Sequence, residues 1–375
     1  MANNNNNKTL NVPNKRFPEF IGEWKTCSLN DIATFMKDKI NTTNLSIDDY
    51  VSTENMKSNF SGVDTAISVP ESTNAVRYKK GDVLISNIRP YLKKVWAANR
   101  NGGCSADVFV FRAKKLSPSF LHYVMANDTF INYVMTGAKG VKMPRGDKQQ
   151  ILKYTLAVPM AEEQHKICHL MTLLDERIST QNKIIEDFKK LKSAIVEKIL
   201  FSICEAPSIF LGSIAYITNG NGDVQDANLT KQEGWYPFFD RSEEIKWFPS
   251  YSFDKEAIIY AGEGQSFSPR YYKGKFALHQ RCYAIIDFDK RALPRYCYHY
   301  MNTMNSYFVK KAVGSTVPSL RMDTFEKAKI RIPSLVEQKR ICTIIDSLCS
   351  KIELEYSLLY QIESLKSYLL QQMFI

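Results

Sequence analysis

The residues that most constrain this chain occur twice. Residues 158–201 (VPMAEEQHKICHLMTLLDERISTQNKIIEDFKKLKSAIVEKILF) and 332–375 (IPSLVEQKRICTIIDSLCSKIELEYSLLYQIESLKSYLLQQMFI) align without a gap over 44 positions at an offset of 174. Identities include Pro159/Pro333, Glu163/Glu337, Gln164/Gln338, Ile167/Ile341, Cys168/Cys342, Ile178/Ile352 and Leu191-Lys192-Ser193/Leu365-Lys366-Ser367. A repeat of this length means two copies of one structural unit, which is how the 375 residues are expected to divide. After its opening proline neither copy contains Gly or Pro, and Leu, Ile, Lys, Glu and Gln dominate, which predicts one long helix in each. Short apolar strands at 155–158 and 329–332 lead into the two prolines. In the second copy Ser334 and Glu337 form an S-x-x-E capping box; the first copy keeps Glu163 but has Met160 at the cap.

A 4-3 spacing runs through each helix: Ile167, Met171, Leu174, Ile178, Gln181, Ile185, Phe188, Lys192, Ile195, Ile199 in one, and Ile341, Ile345, Leu348, Ile352, Glu355, Leu359, Ile362, Lys366, Leu369, Met373 in the other. Eight of ten members are apolar in each, and the polar pair falls at the same two phases. A 3.5-residue period held this long is a coiled-coil seam. At about 1.5 Å per residue, roughly 40 residues make a rod of about 60 Å. Two long core helices of one globule would carry the same stripe; the duplicated order favours two helices of one chain packed on each other.

The regions between the helices repeat more faintly. Leu29-x-x-Ile32-Ala33-x-Phe35 answers Leu211-x-x-Ile214-Ala215-x-Ile217, and Gly140-Val-Lys-Met-Pro144 answers Gly314-Ser-Thr-Val-Pro318 at the same offset. Segments 78–86 and 253–260 read as strands followed by turn-rich loops, and 119–125 and 295–301 as short helices after a proline. The fold class expected is α+β: two α/β globules, each followed by a long helix, the helices packed as an antiparallel coiled coil with pseudo-two-fold symmetry. The expected segments are a disordered tail 1–14, a globule 15–160, a helix 161–205, a globule 206–333 and a helix 334–375.

Charge follows this division. Lys and Arg total 50 against 39 Asp and Glu, net +11, which favours a polyanionic partner. Residues 1–161 carry 22 basic against 13 acidic residues, net +9, and residues 206–335 carry 17 against 13, net +4. The helical stretches 162–205 and 336–375 are each net −1. The excess therefore sits on the globules, and the rods are neutral spacers or protein-binding surfaces.

Other classes are disfavoured. Hydrophobic residues at 44% and charged residues at 24% fit a chain with buried cores, and no apolar run approaches the roughly 20 residues of a membrane span. The eight cysteines are scattered without Cys-x-x-Cys, and no apolar secretion signal precedes them. Reduced thiols and a cytoplasmic location are expected. No metal-ligand spacing occurs: His165 and His169 lie four apart but lack a partner motif. There is no phosphate-binding G-x-x-x-x-G-K-[ST] loop, and Gly262-Glu-Gly264 opens no strand-to-helix dinucleotide unit. No Asn-Pro-Pro-aromatic run for adenine methylation and no nuclease cluster appears. No catalytic residue and no bound metal or cofactor is assigned.

Basic, polar and aromatic loops are the positive signal. In the first globule the candidates for DNA contact are Arg77, Lys79, Lys80, Asn87, Arg89, Tyr91, Lys93, Lys94, Lys142 and Arg145. In the second they are Gln265, Ser266, Arg270, Tyr271, Tyr272 and Lys273, taken as a loop after the strand, with Ser315, Thr316, Ser319 and Arg321 around Pro318. Arg, Lys, Asn and Tyr suit phosphates and base edges, although any one of them also suits a solvated turn.

The chain resembles the specificity (S) subunit of type I restriction-modification systems along essentially its full length. The marks are Arg16-Phe17-Pro18-Glu19-Phe20 with Gly22-Glu23-Trp24, Tyr50-Val-Ser-Thr-Glu-Asn-Met56, and Lys80-Gly81-Asp82-Val-Leu-Ile-Ser86-Asn-Ile-Arg89-Pro90. To these add Gly314-Ser-Thr-Val-Pro-Ser-Leu-Arg321 and the Pro-x-x-x-Glu-Gln that opens both long helices. The resemblance implies two target recognition domains, each reading half of a bipartite, asymmetric double-stranded DNA site, with the helices as a ruler between them. It implies two modification (methyltransferase) subunits on those helices and restriction subunits recruited through them. AdoMet, ATP and Mg²⁺ would belong to those partners, and this chain would be non-catalytic. Cys349 and Ser350 stand where the first copy has Asp175 and Glu176, so the two partner surfaces are not equivalent. Rival readings are the specificity subunit of a two-subunit type II enzyme, an orphan specificity subunit, a coiled-coil scaffold that binds no DNA, and an enzyme acting alone.

Overall fold

The computed structural model describes residues 11–375. The chain forms two compact units, one of Met1–Asn182 with Ser357–Ile375 and one of Lys183–Tyr356. Each unit thus contains a globule and a portion of both long helices. The first long helix is Ala161–Ser202 and the second Leu335–Met373.

In the first unit, Val83–Ser86 is buried at every position and lies inside a four-stranded antiparallel sheet, ordered Ala33–Phe35, Val108–Ala113, Val83–Ser86, Val95–Ala97. A second four-stranded sheet is ordered Lys39–Asn41, Asn74–Tyr78, Gly102–Cys104, Tyr50–Val51. The segment 78–86 is therefore not one strand: a turn breaks it at Lys79–Asp82. Gly81 supplies the left-handed backbone there (φ +91°), and the Asp82 carboxylate accepts the Lys79 N–H at 2.8 Å and pairs with two Arg112 nitrogens, Nε and one terminal nitrogen, at 2.7 Å each. The second unit has instead one six-stranded sheet, ordered Tyr216–Asn219, Cys282–Ile286, Phe253–Ala261, Arg270–Leu278, Tyr236–Phe239, Lys246–Phe248.

Both globules close in the same way. An antiparallel pair joins Lys25–Ser28 to Thr155–Val158 in the first unit and Ser208–Phe210 to Lys329–Arg331 in the second. The proline follows, and then the glutamine of Pro-x-x-x-Glu-Gln turns inward. Gln164 accepts the Ser117 N–H at 3.0 Å and donates to the Pro159 carbonyl at 2.9 Å. Gln338 accepts the Leu293 N–H at 2.8 Å and donates to the carbonyls of Arg291 at 2.7 Å and Pro333 at 2.9 Å. Ser117 and Leu293 are the residues that start the short helices Pro118–Met125 and Pro294–Met301, so the motif ties a long helix to a short one. The glutamates diverge. Glu163 is fully buried and takes two Arg16 nitrogens at 2.6 and 2.7 Å and the Trp24 indole N–H at 3.2 Å. Glu337 is partly exposed, with Arg340 at 3.4 Å.

Within each unit the helix portions run antiparallel. In the first, Ile167, Cys168 and Met171 share a core with Leu370 and Met373, and Lys366, one of the polar interruptions of the seam, pairs with Asp175. In the second, Ile203 packs with Ile341 and Ile345, Lys351 lies 5.7 Å from the Phe188 ring and Lys189 5.4 Å from Tyr356. All sixteen apolar seam residues are buried or half-buried: Ile167, Met171, Leu174, Ile178, Ile185, Phe188, Ile195, Ile199, Ile341, Ile345, Leu348, Ile352, Leu359, Ile362, Leu369 and Met373. Cys168 and Cys342 line the same cores; burial pushes their thiols up to about 12 and about 11, which suppresses thiolate chemistry.

The expected tail is corrected in part. Residues 1–10 lie outside the described residues, but Asn11 is held: its side-chain amide donates to the Trp24 carbonyl and the Thr26 hydroxyl, both at 2.8 Å, and Pro13 is buried. The Lys15 N–H donates to the Gln372 carbonyl at 2.9 Å and the Ala157 N–H to that of Ile375 at 3.1 Å, so the last helical turn is part of the first unit. Met373→Ala is expected to cost that unit about 2 kcal/mol, read as a lower urea midpoint, because it empties a core position. A change within about 0.5 kcal/mol would show that this turn is not packed in solution.

Candidate nucleic-acid interface

In each unit the fold sets the loop after a central strand against a short hairpin closed by Gly-x-x-x-Pro. In the first, the Arg89 N–H donates to the Pro144 carbonyl at 2.8 Å and the Gly146 N–H to Asn87 at 3.1 Å. Lys139 and Arg145 exchange both backbone bonds at 2.9 Å, which closes the hairpin. In the second, the Gly264 N–H donates to the Pro318 carbonyl at 3.0 Å and the Leu320 N–H to Gly262 at 2.7 Å, and Val313 and Ser319 close the hairpin at 2.9 and 2.8 Å. Gly140 and Gly314 have φ of +97° and +107°, and a Cβ there would lie 3.2 Å from the Met143 carbonyl oxygen and 2.9 Å from that of Val317. Only glycine fits this turn unstrained.

The candidate side chains on this frame differ in availability. Arg77, Lys79, Lys80 and Lys142 are exposed and without an ion pair among the described residues, and Tyr91 is exposed, but Arg77, Lys79 and Lys80 lie at the entry end of the strand Val83–Ser86, opposite the loop that carries Asn87 and Tyr91. Lys93 pairs with Asp128 at 2.8 Å, Arg145 with Asp107 at 3.2 Å, and Lys94 donates to the Thr53 carbonyl. Arg89 and Lys93 hold left-handed backbones (φ 50° and 55°) on either side of the single turn Pro90–Leu92, a strain of about 1–2 kcal/mol per residue. Asn87 and Arg89 are half-buried, and the Asn87 side-chain Oδ1 and the Arg89 Nε lack partners among the described residues. Unmet polar atoms of this kind, on a strained turn, fit a surface that is completed by a ligand.

The second unit requires a correction. Arg270, Tyr271 and Tyr272 do not lie in a loop; they begin the strand Arg270–Leu278, paired with 253–259. Arg270 donates to the Ser242 carbonyl and lies 5.9 Å from the Phe239 ring. Tyr271 donates to Glu256 and sits 4.5 Å beneath the Arg295 guanidinium; Tyr272 packs between Phe239 and Phe276. The Ser-Pro pair before them reads as continued loop, whereas pairing with the neighbouring strand carries the backbone straight on. Lys273 is exposed on that strand, and Gln265, Ser266, Ser315, Thr316 and Arg321 are exposed on loops; Ser319 is half-buried in the hairpin.

The apolar hairpin tips are not among the contacts expected from residue type. Val141 is completely exposed, and Met143 and Val317 each keep 48% of their surface. An apolar residue set between a glycine and a proline in so short a turn was the available signal. Among the described residues no group of His, Cys, Asp and Glu has the geometry of a metal site, and no helix is long and apolar enough to cross a membrane.

A family model for the type I restriction modification DNA specificity domain matches this chain twice, over residues 21–190 and 207–364. The chain belongs to that family. Each match spans one globule and the greater part of the long helix that follows it, so the specificity domain occurs here as a tandem pair. The chain is 30% identical over 155 residues, 41% of its length, to the type I restriction enzyme EcoDI specificity subunit of Escherichia coli; the match spans 34% of that relative. Its fold is similar to the crystal structure of a type I restriction-modification system S subunit from M. genitalium, with a TM-score of 0.65, 14% identity and coverage of 97% of this chain and 99% of that one. It is also similar to a chain solved in work on complex assembly and conformational transition of the type I R-M system, with a TM-score of 0.60, 16% identity and coverage of 93% and 97%.

Proposed function

We propose that this chain is the non-catalytic, sequence-reading subunit of a type I restriction-modification complex. Each unit reads one half of a bipartite, asymmetric site in double-stranded DNA, and the long helices carry two modification subunits, which methylate adenine and recruit restriction subunits. AdoMet, ATP and Mg²⁺ act on those partners. The observation that carries this reading is the repeated frame: a post-strand loop and a Gly-x-x-x-Pro hairpin are joined by matching backbone bonds in both units, yet bear Asn87, Arg89, Tyr91 and Lys142 in one and Gln265, Ser266, Ser315 and Thr316 in the other. Unlike side chains on one frame give unlike half-sites. Exposed lysines and arginines around the loops supply phosphate contacts, and the loop side chains supply base contacts.

Co-expression with a modification subunit, followed by genome-wide mapping of methylated adenine, tests this. A two-part motif with a fixed gap is the expected result. Lys142→Ala should lower the extent of methylation without changing the motif; Asn87→Ala should relax one position of one half. A level of methylation no higher than that of the modification subunit alone would sink the reading, and DNA binding insensitive to salt would favour a scaffold. A motif made by a pair of proteins with no restriction subunit encoded nearby would move the chain to the two-subunit or orphan alternatives.

A further inference from the structure

The second unit has a cleft of about 530 Å³ beside its hairpin, and its walls are cationic. Lys311, Arg321, Lys327 and Lys329 line it, with Asp323 as the one carboxylate and Tyr307 on the wall. Lys327 is bonded to Asp323 at 2.8 Å, and Tyr307 gives its hydroxyl proton to the Thr324 carbonyl at 3.3 Å. Lys311 and Arg321 are exposed and form no ion pair among the described residues. Lys329 reaches across the Phe210 ring at 5.2 Å. With Lys327 paired to Asp323, Lys311, Arg321 and Lys329 leave the concave surface positively charged, which favours an anion there.

The first unit is built differently at the same place. At the 174-residue offset the four cations answer to Gly137, Asp147, Lys153 and Thr155, and Thr324 answers to Gln150. The Gln150 amide lies over Gly137, whose Cβ would stand 1.7 Å from it, and donates to the Tyr133 carbonyl at 2.9 Å and the Thr136 hydroxyl at 2.7 Å. Asp147, where the second unit has Arg321, caps its own helix by accepting from Gln149 and Gln150. The cationic lining thus belongs to the unit whose globule has the smaller net charge.

We propose that this cleft takes the phosphodiester backbone of the duplex whose bases the second unit reads, as a positioning contact. The inference rests on the DNA-reading role above. Val313 and Arg321, which flank the hairpin, are also cleft residues, so backbone and hairpin tip would meet the same stretch of duplex. The cations are three lysines and one arginine, point charges and a planar fork that suit phosphate oxygens.

The test uses the full chain in complex with its modification subunits and a duplex carrying the mapped motif. The triple variant Lys311→Gln, Arg321→Gln, Lys329→Gln changes exposed side chains only and leaves the core intact. Its log–log salt dependence of binding is expected to be shallower by about 2–3, with affinity lower by roughly tenfold or more on specific and non-specific duplex alike, and the methylated motif unchanged. A control with the same loss of charge elsewhere, Lys57→Gln, Lys115→Gln, Lys231→Gln, is expected to keep the wild-type slope. An unchanged slope in the first variant, an equal loss in the control, or an altered motif would each overturn the proposal. Failure of the parent reading is a separate outcome: the wild-type complex itself would then show no salt-dependent binding.

Discussion

Gln338→Leu is expected to destabilise the second unit by about 4 kcal/mol, and Gln164→Leu the first by about 2 kcal/mol. Both glutamines are buried, and both are surrounded by backbone groups that have lost water. Gln338 satisfies one N–H and two carbonyls, those of Leu293, Arg291 and Pro333, whereas Gln164 satisfies the Ser117 N–H and the Pro159 carbonyl. Leucine fills similar volume and cannot answer any of them, so each group bears its desolvation cost alone, about 1–3 kcal/mol apiece. Urea titration followed by hydrogen exchange in the short helices Pro118–Met125 and Pro294–Met301 separates the two effects. The order of the two losses matters more than their size. Equal losses, or losses within the about 0.5 kcal/mol of a surface change, would mean that the motif is conserved between the repeats for another reason.

Mild acid is expected to weaken the first unit through His122. This residue projects from the helix Pro118–Met125, and its Nδ1 is buried without a partner. Burial pushes its pKa down to about 4; Asp175 opposes the shift and Lys366 adds to it. The folded value lies below that of the free imidazole, about 6.5, so the contribution is fully present above that pH and is lost as pH falls toward 4. A difference of this size is worth at most about 3 kcal/mol. His122→Gln removes the titrating ring; the stability difference between wild type and variant should therefore move against the wild type by about 2–3 kcal/mol between pH 7 and pH 4. A pH-independent difference would show that the ring is hydrated. In the second unit, burial also lowers His299, but its Nε2 meets Asp346 at 2.8 Å and that carboxylate opposes the shift, so a smaller acid effect is expected there.

Much of the fold was legible because its determinants are local. The long helices follow from composition, the absence of Gly and Pro, and the 4-3 stripe, and their polar interruptions were visible before the role of Lys366 against Asp175 was. The Gly-x-x-x-Pro repeat was visible in the chain, but that it closes a hairpin at a left-handed glycine emerged only from the backbone bonds of the fold. The interface was legible only as two sets of segments. Which members are open to a ligand depends on neighbours far along the chain: Lys93 is engaged by Asp128, Lys94 by Thr53 and Arg145 by Asp107.

Periodicity and turn chemistry act over a few residues, so they are written in the chain: the duplication, the two rods, the strand-to-proline-to-helix junctions and the basic excess on the globules. Tertiary packing decided what depends on distant partners. It drew Arg270, Tyr271 and Tyr272 from a basic-aromatic run into a sheet, and brought Arg16 onto the buried Glu163 across 147 residues. It gathered Lys311, Arg321, Lys327 and Lys329 around one cleft, where Thr324 leaves open the space that Gln150 fills in the other unit. Burial and charge proximity are properties of the packed chain, and the same residue types read along the sequence carry no record of which face they will share.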